Sequence, residues 1–398
     1  MLRILCTFVG GRGHLEPILP IARAARAAGH EIAFSSEPWL GGVVASAGFE
    51  VLPDPGAGDE STAAPATAEP PSEPSPPKTK PLLEVDRARE ERDLREKFAR
   101  EGARRKAARL LAVADAWRPD IVLTDEADFG TVIATERLGI PCVSVVVLIA
   151  GGMLRPEVVA SALDEVRAEH GLPSDPELRA TRGALAIDPA PPGFRDPADP
   201  LLVRSLNVAL VRPDAAAAAA APPWEPVRQD GPAVYATLGT VFNQESGDLL
   251  ARVIAAFEDH PGDVLVTVGD EIDPAGFRAP QHVHVERFVP QAAVLPHVDL
   301  VLSHGGSGTV LAALAHGLPM VLIPMGADQP WNGDRCGALG LGRVLDPVAA
   351  TPADIRASAR DVLDDPSYRN AARRLAHAMQ QLPGPEAAAR ALERLAAT

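Results

Sequence analysis

The sequence predicts an α/β protein made of two doubly wound domains, and three observations carry that prediction. Short apolar runs alternate with helical patterns along both halves of the 398-residue chain. The alternation is interrupted near the middle by a stretch rich in alanine and proline. The two halves also echo each other: Asp120-Ile-Val-Leu-Thr-Asp125 followed by Gly139-Ile140-Pro141 parallels Asp299-Leu-Val-Leu-Ser-His304 followed by Gly317-Leu318-Pro319. Short apolar strands separated by helices imply parallel sheets covered on both faces. Two copies of such a domain would face their strand C-terminal ends across one cleft, where open α/β sheets bind ligands, with Asp125 and His304 at equivalent strand ends.

Taken in order, Arg3 to Val9 is an apolar run that breaks at Gly10, and Pro17 to Ala28 carries a helical pattern ended by Gly29. His30 to Ser36 and Phe49 to Leu52 read as the second and third strands. Asp54 to Pro81 is dominated by Pro, Ala, Ser and Glu; it has too little apolar surface for a core and is expected to be a long mobile loop. Leu82 to Trp117 reads as helical, densely charged from Asp86 to Arg109, and therefore as a solvated helix or a mobile wall of a binding site. Ile121 to Thr124 and Cys142 to Leu148 resume the strand series. The run Ala215 to Ala221 with Pro222 and Pro223 marks a linker, so the domains are expected at 1–213 and 233–398 with 214–232 between them, the terminal helix being free to pack back on the first domain. In the second domain, Ala233 to Leu238, Val264 to Val268, His282 to Val285, Val298 to Leu302 and Met320 to Ile323 read as strands.

Composition narrows the function. A net charge of −15 argues against tracking a nucleic-acid backbone, so an anionic ligand would have to be held by local dipoles and a few side chains. Only four lysines occur, Lys78, Lys80, Lys97 and Lys106. The three cysteines, Cys6, Cys142 and Cys336, are far apart and read as buried thiols rather than metal ligands. No apolar run reaches the length of a membrane span, and a cytoplasmic protein, monomeric or homodimeric, is expected.

The densest chemistry lies in Ser303-His304-Gly305-Gly306-Ser307-Gly308-Thr309, where a buried strand turns into a helix expected at Thr309 to His316. Gly306 and its neighbours let the backbone approach a ligand, and a helix N-terminus offers free N–H groups and a positive dipole end. His304, Ser307 and Thr309 add side-chain donors suited to a phosphate or pyrophosphate. At the other end of the chain, His14 follows the first strand in the turn Gly10-Gly11-Arg12-Gly13. A neutral imidazole there can take a proton near pH 7, or simply cap the helix that follows. Asp125 ends the fourth strand, next to the first in a doubly wound sheet; it could orient such a base or cap a helix, and Asp128 is a nearby competitor. A dinucleotide-binding reading fails because the glycine spacing is broken by Arg12 and Leu15, leaving Glu37 after the second strand as weak support, and no Walker A motif is present.

His304-x-Gly-Gly-x-Gly-Thr309, then Gly317-Leu318-Pro319, then Asp328-Gln329-x-x-Asn332, resembles the nucleotide-sugar signature of the family 1 glycosyltransferases, inverting enzymes of the GT-B fold that decorate small natural products. Phe288-Val289-Pro290-Gln291 resembles the family's base-binding motif, and Gly11, Arg12 and Gly13 resemble its acceptor-side loop. The resemblance implies a base at His14 and a supporting carboxylate at Asp125. It implies a donor site built from Thr237, Gly239, Thr240, Phe288, Val289, Gln291, His304, Gly306, Ser307, Gly308, Thr309, Asp328, Gln329 and Asn332. Phe288 would stack on the base, and Asp328 and Gln329 would bind sugar hydroxyls, with Asn332 helping at the sugar or phosphate. No metal or other cofactor is implied; the co-substrate is a dTDP- or UDP-sugar and the acceptor a small molecule. Where many relatives carry a ribose-binding glutamate this chain has Ala312, which favours dTDP over UDP. A transferase acting on a lipid or cell-wall acceptor, or a non-catalytic nucleotide-sugar-binding protein, are the alternatives.

Overall fold

A computed structural model describes residues 1–53, 79–181, 183–197, 199, 205–213, 224, 226–227, 231–239 and 243–397. Most of the expected loop Asp54 to Pro81 and most of the expected linker 214–232 lie outside these residues. The chain divides into two compact units. One comprises Met1–Thr67, Arg87–Leu210 and Leu382–Thr398, the other Ala68–Asp86 and Val211–Gln381. The terminal helix thus packs with the first unit, and residues 79–86 belong to the second.

The first unit holds a parallel sheet of β1 (Arg3–Thr7), β2 (Glu31–Ser35), β3 (Glu50–Val51), β4 (Ile121–Asp125), β5 (Cys142–Val145), β6 (Leu185–Asp188) and β7 (Ser205–Asn207). Its order is β3-β2-β1-β4-β5-β6-β7. The last two strands were not expected, because four and three residues beside proline-rich loops give no usable periodicity. One face of the sheet is covered by the helix Ile18–Ala27 and by the chain's last helix, Pro385–Ala396, whose Ala388, Ala389 and Leu392 join Ile4, Cys6, Leu15 and Ile21 in one core. Removing a Leu such as Leu392 from water contributes roughly 2 kcal/mol. The other face is covered by the helix Ala103–Trp117, through Ala107, Leu110, Val113 and Trp117.

The helix expected over Leu82 to Trp117 begins at Arg87, continues with a wider winding over Leu94–Gly102, and ends at Trp117. It is not uniformly solvated: Ala99, Gly102, Ala103, Lys106 and Ala107 are buried. Its exposed charges pair with the helix Pro156–Glu169, as in Arg100 with Glu165 and Arg104 with Glu169. Thr79 to Leu82 belong to the second unit instead. The Lys80 N–H donates to the Gln244 carbonyl at 2.6 Å, the Gly247 N–H donates to the Lys80 carbonyl at 3.0 Å, and Leu82 packs on that unit's core. Pairing of this kind overrides the composition argument for Thr79 to Pro81.

The second unit holds β8 (Val234–Thr237), β9 (Val264–Thr267), β10 (Val283–Glu286), β11 (Leu300–Ser303), β12 (Met320–Leu322) and β13 (Gly342–Val344). The sheet is parallel in the order β10-β9-β8-β11-β12-β13. β13 was not expected either; its three residues are one buried glycine and two exposed positions.

The internal echo is structural. The Asp120 carboxylate accepts from the Arg3 N–H at 2.7 Å, and the Asp299 carboxylate accepts from the Ala233 N–H at 3.1 Å, so each clamps its own central strand pair at the N-terminal edge. Gly139 and Gly317 both end helices with positive φ, 68° and 65°, a conformation that favours glycine. Strand order reverses between β1 and β4 in one unit and between β8 and β11 in the other. These are the switch points at which open α/β sheets form ligand crevices. Asp125 ends β4 and His304 follows β11, so the two occupy corresponding places.

Candidate active site

In the first unit the chain leaves β1 through Phe8, Val9 and Gly10 into a short helix, Arg12–Leu15, that carries His14. Gly10 has φ +69°, and a Cβ there would lie 3.1 Å from the His14 ring, so both backbone and space demand glycine. Gly11 and Gly13 meet no such limit, since a Cβ on either would find open space. The His14 Nδ1 lies 3.3 Å from Asp125 Oδ1, with the imidazole partly exposed and the carboxylate fully buried.

Asp125 is itself fixed by the backbone. The Val9 N–H donates to Oδ2 at 2.6 Å and the Ala127 N–H to Oδ1 at 2.7 Å. The two acidic candidates thus separate. Asp128 is the N-cap of the helix Phe129–Leu138, accepting from the Thr131 N–H at 3.1 Å, and burial pushes its carboxyl up. Asp125 is the one that reaches the imidazole. Glu37, the weak dinucleotide candidate, pairs with Lys106 at 3.3 Å and with Arg109 at 3.7 Å.

In the second unit the helix after β11 is Ser307–Ala315, two residues earlier than expected, with Gly306 as N-cap in an extended conformation and no side chain capping its first amides. Those amides are open to an anion, as is usual at such a terminus. The His304 ring lies where side chains on Gly239 or Gly306 would stand; a Cβ on Gly239 would be 2.6 Å from it. Burial lowers the His304 pKa to about 4, with the Thr237 main chain working the other way, so at neutral pH the ring is uncharged and can donate a hydrogen bond without carrying charge.

Around this turn the polar groups interlock. The Ser307 hydroxyl donates to Asp328 Oδ2 at 2.6 Å. The Asn332 amide donates to the Gly305 carbonyl at 2.9 Å and to Asp328 Oδ2 at 2.7 Å. Asn332 is fully buried and braces the turn through these bonds. Gln329 is 2 % exposed, and its side-chain oxygen accepts from the Met325 and Gly326 N–H groups, which fixes the loop leading into its helix. Gln291 donates to Thr309 Oγ1 at 3.1 Å. Gly308 is exposed, Val289 is buried, and Phe288 is 57 % exposed, an apolar ring open to a flat partner. The Gly239 N–H donates to Thr237 Oγ1 at 3.2 Å. Thr240 lies outside the described residues.

Two supporting residues escaped the sequence reading. Asn243 donates to the Gly239 carbonyl and so holds the turn after β8. Lys106 donates to the Phe8 carbonyl at 2.9 Å, at the start of the loop that leads to His14. Neither carries a local pattern; each matters because of what the fold brings against it. Among the described residues no group of three or more His, Cys, Asp or Glu side chains is arranged to hold a metal, and no helix is long and apolar enough to cross a membrane.

Residues 251–395 match the family model described as erythromycin biosynthesis protein CIII-like, C-terminal domain. The elloramycin glycosyltransferase ElmGT of Streptomyces olivaceus is 31% identical over 288 residues, 70% of each chain. The chain belongs to the GT-B natural-product glycosyltransferases. The 10-deoxymethynolide desosaminyltransferase of Streptomyces venezuelae aligns with this glycosyltransferase over 100% of the chain and 97% of its own length, at 27% identity. The crystal structure of SsfS6, a glycosyltransferase of Streptomyces sp. SF2575 complexed with thymidine diphosphate, covers 99% of this glycosyltransferase and 100% of its own chain, with a TM-score of 0.70 and 25% identity. The last two relatives align with the whole of this glycosyltransferase, both of its units included.

Proposed function

We propose that this glycosyltransferase moves a hexose, with inversion, from a dTDP-sugar to a hydroxyl of a small natural-product acceptor, with His14 as the general base. The observation that carries the reading is the His14–Asp125 pair at the switch point of the first sheet. Asp125 accepts two backbone N–H bonds, so its position is fixed before any substrate arrives. Held this way, it keeps the imidazole Nδ1 protonated and leaves Nε2 as the acceptor of the hydroxyl proton. The oxygen then attacks the anomeric carbon as the nucleoside diphosphate leaves from the opposite face.

The second unit supplies the donor site. The amides at Ser307 to Thr309 and the neutral His304 meet the diphosphate, and fixed dipoles of this kind stabilise charge that develops on a leaving group. Such donors take the part that a divalent cation plays in other transferases, so no metal is required. Phe288 offers its face to the base, and Asp328, oriented by Ser307 and Asn332, offers a carboxylate to sugar hydroxyls. Ala312 on the helix Ser307–Ala315 leaves a ribose 2′-hydroxyl without a carboxylate, which favours thymidine; SsfS6 was crystallised with that diphosphate. Buried free thiols at Cys6, Cys142 and Cys336 suit a reducing cytoplasm.

The test is His14→Ala assayed with an aliphatic alcohol acceptor. Turnover should fall by about two to four orders of magnitude, the usual share of general-base catalysis, while dTDP affinity is unchanged. Full activity of the variant would remove His14 from the mechanism.

A further inference from the structure

Lys106 is a buried cation that the mechanism so far leaves unused. Its side chain is 5% exposed and rises from the helix Ala103–Trp117. That helix packs against Phe129–Leu138 so closely that a Cβ on Gly130 would lie 2.7 Å from the Lys106 Cβ. The ammonium therefore runs beside the start of the second helix, where Asp128 sits, and reaches the loop after β1. There it donates to the Phe8 carbonyl at 2.9 Å and pairs with Glu37 at 3.3 Å. The next residue, Val9, donates its N–H to Asp125. Consecutive residues of the loop that carries His14 are thus gripped from opposite sides, by a cation and by the base's own carboxylate partner.

The electrostatics follow the same geometry. Asp125 and Asp128 are both fully buried and three residues apart, and burial and the Asp125 charge push the Asp128 carboxyl up. Lys106 acts against that repulsion, lowering the Asp128 carboxyl that burial and Asp125 push up. The other charged groups of these elements are Glu37 beyond β2, which pairs with Lys106 and Arg109, and Arg12 and Glu16 on the segment that carries His14.

We propose that Lys106 is a positioning residue for the base: it fixes the Phe8 carbonyl and supplies the positive charge that sets how readily His14 holds a proton. The inference rests on His14 acting as the base. The sign is determined. Without the ammonium, a positive charge that opposes the imidazolium is gone, so the His14 pKa rises. Without the Glu37 charge, the ammonium is less compensated and the pKa falls.

The experiment titrates the His14 ring by NMR in the intact protein and, in parallel, records the acid limb of the kcat/KM profile with an aliphatic acceptor. Lys106→Met should raise the His14 midpoint by about one pH unit, Glu37→Gln should lower it by less, and Lys106→Arg should restore the wild-type value. If Lys106→Met does not fold, the opposite shift in Glu37→Gln and the behaviour of Lys106→Arg carry the test. A His14 midpoint that stays put in the folded variants overturns the inference, because a purely structural lysine would change rates without moving the titration. A midpoint that moves while the acid limb does not supports Lys106 as the group that sets His14, and overturns His14 as the base instead.

Discussion

The neutral His304 makes the second unit sensitive to acid in a way that one substitution can isolate. In the folded chain its pKa is about 4, against 6.5 for an ordinary histidine. The folded value is depressed, so the contribution to stability is fully present above pH 6.5. It is lost as the pH falls toward 4, because the unfolded imidazole takes up a proton that the folded one refuses. At pH 5 the unfolded ring is almost wholly protonated, and only about a tenth of folded molecules carry the proton, which corresponds to a loss of about 2 kcal/mol between pH 8 and pH 5. Other groups titrate over this range too, so the comparison is with His304→Gln, which keeps a hydrogen-bonding side chain and removes the titration. Urea unfolding followed through Trp224, which is buried in this unit, should show wild type losing about 2 kcal/mol more than the variant over that interval. Equal losses, or a His304 ring that titrates near pH 6.5 by NMR, would refute the claim that the turn holds an uncharged imidazole.

Gly10→Ala forces a side chain onto a positive φ and to 3.1 Å from the His14 ring; displacing the base should cost about tenfold to a hundredfold in kcat without altering dTDP affinity, as steady-state kinetics and calorimetry would show. Asp125→Asn removes the charge that stabilises the imidazolium, so kcat should drop at least about tenfold and the acid limb of the pH profile should move down by about one unit. An unmoved limb would show that Asp125 only orders the loop. Calorimetry should find dTDP binding at least as tightly as UDP, and a clear preference for UDP would mean that some residue other than the one at Ala312 reads the ribose.

Much of this protein was legible in its sequence because the information is local. Strands such as Ile121–Asp125 and Leu300–Ser303 are buried on both faces, so they appear as short unbroken apolar runs. The glycines at 10, 139 and 317 mark places where the backbone takes a conformation that other residues avoid. The repeat of Asp120 and Asp299 placed two sheets with matching switch points, and so located Asp125 and His304. What stayed hidden depends on chain segments meeting across long sequence separations. Strands of three or four residues at sheet edges are defined by their neighbours rather than by their own pattern. The sequence left the final helix free to join either unit, and it joins the first because Ala388, Ala389 and Leu392 fill the core beside β1. Only tertiary structure could separate Asp125 from Asp128: both are buried acids after the same strand, but one bonds its own helix and the other points at the imidazole. Packing likewise ties Asn332 to the Gly305 carbonyl and Asp328, and brings a lysine of a charged helix onto the Phe8 carbonyl. Periodicity records which face of an element is buried, and contacts between elements decide what a buried polar group does there.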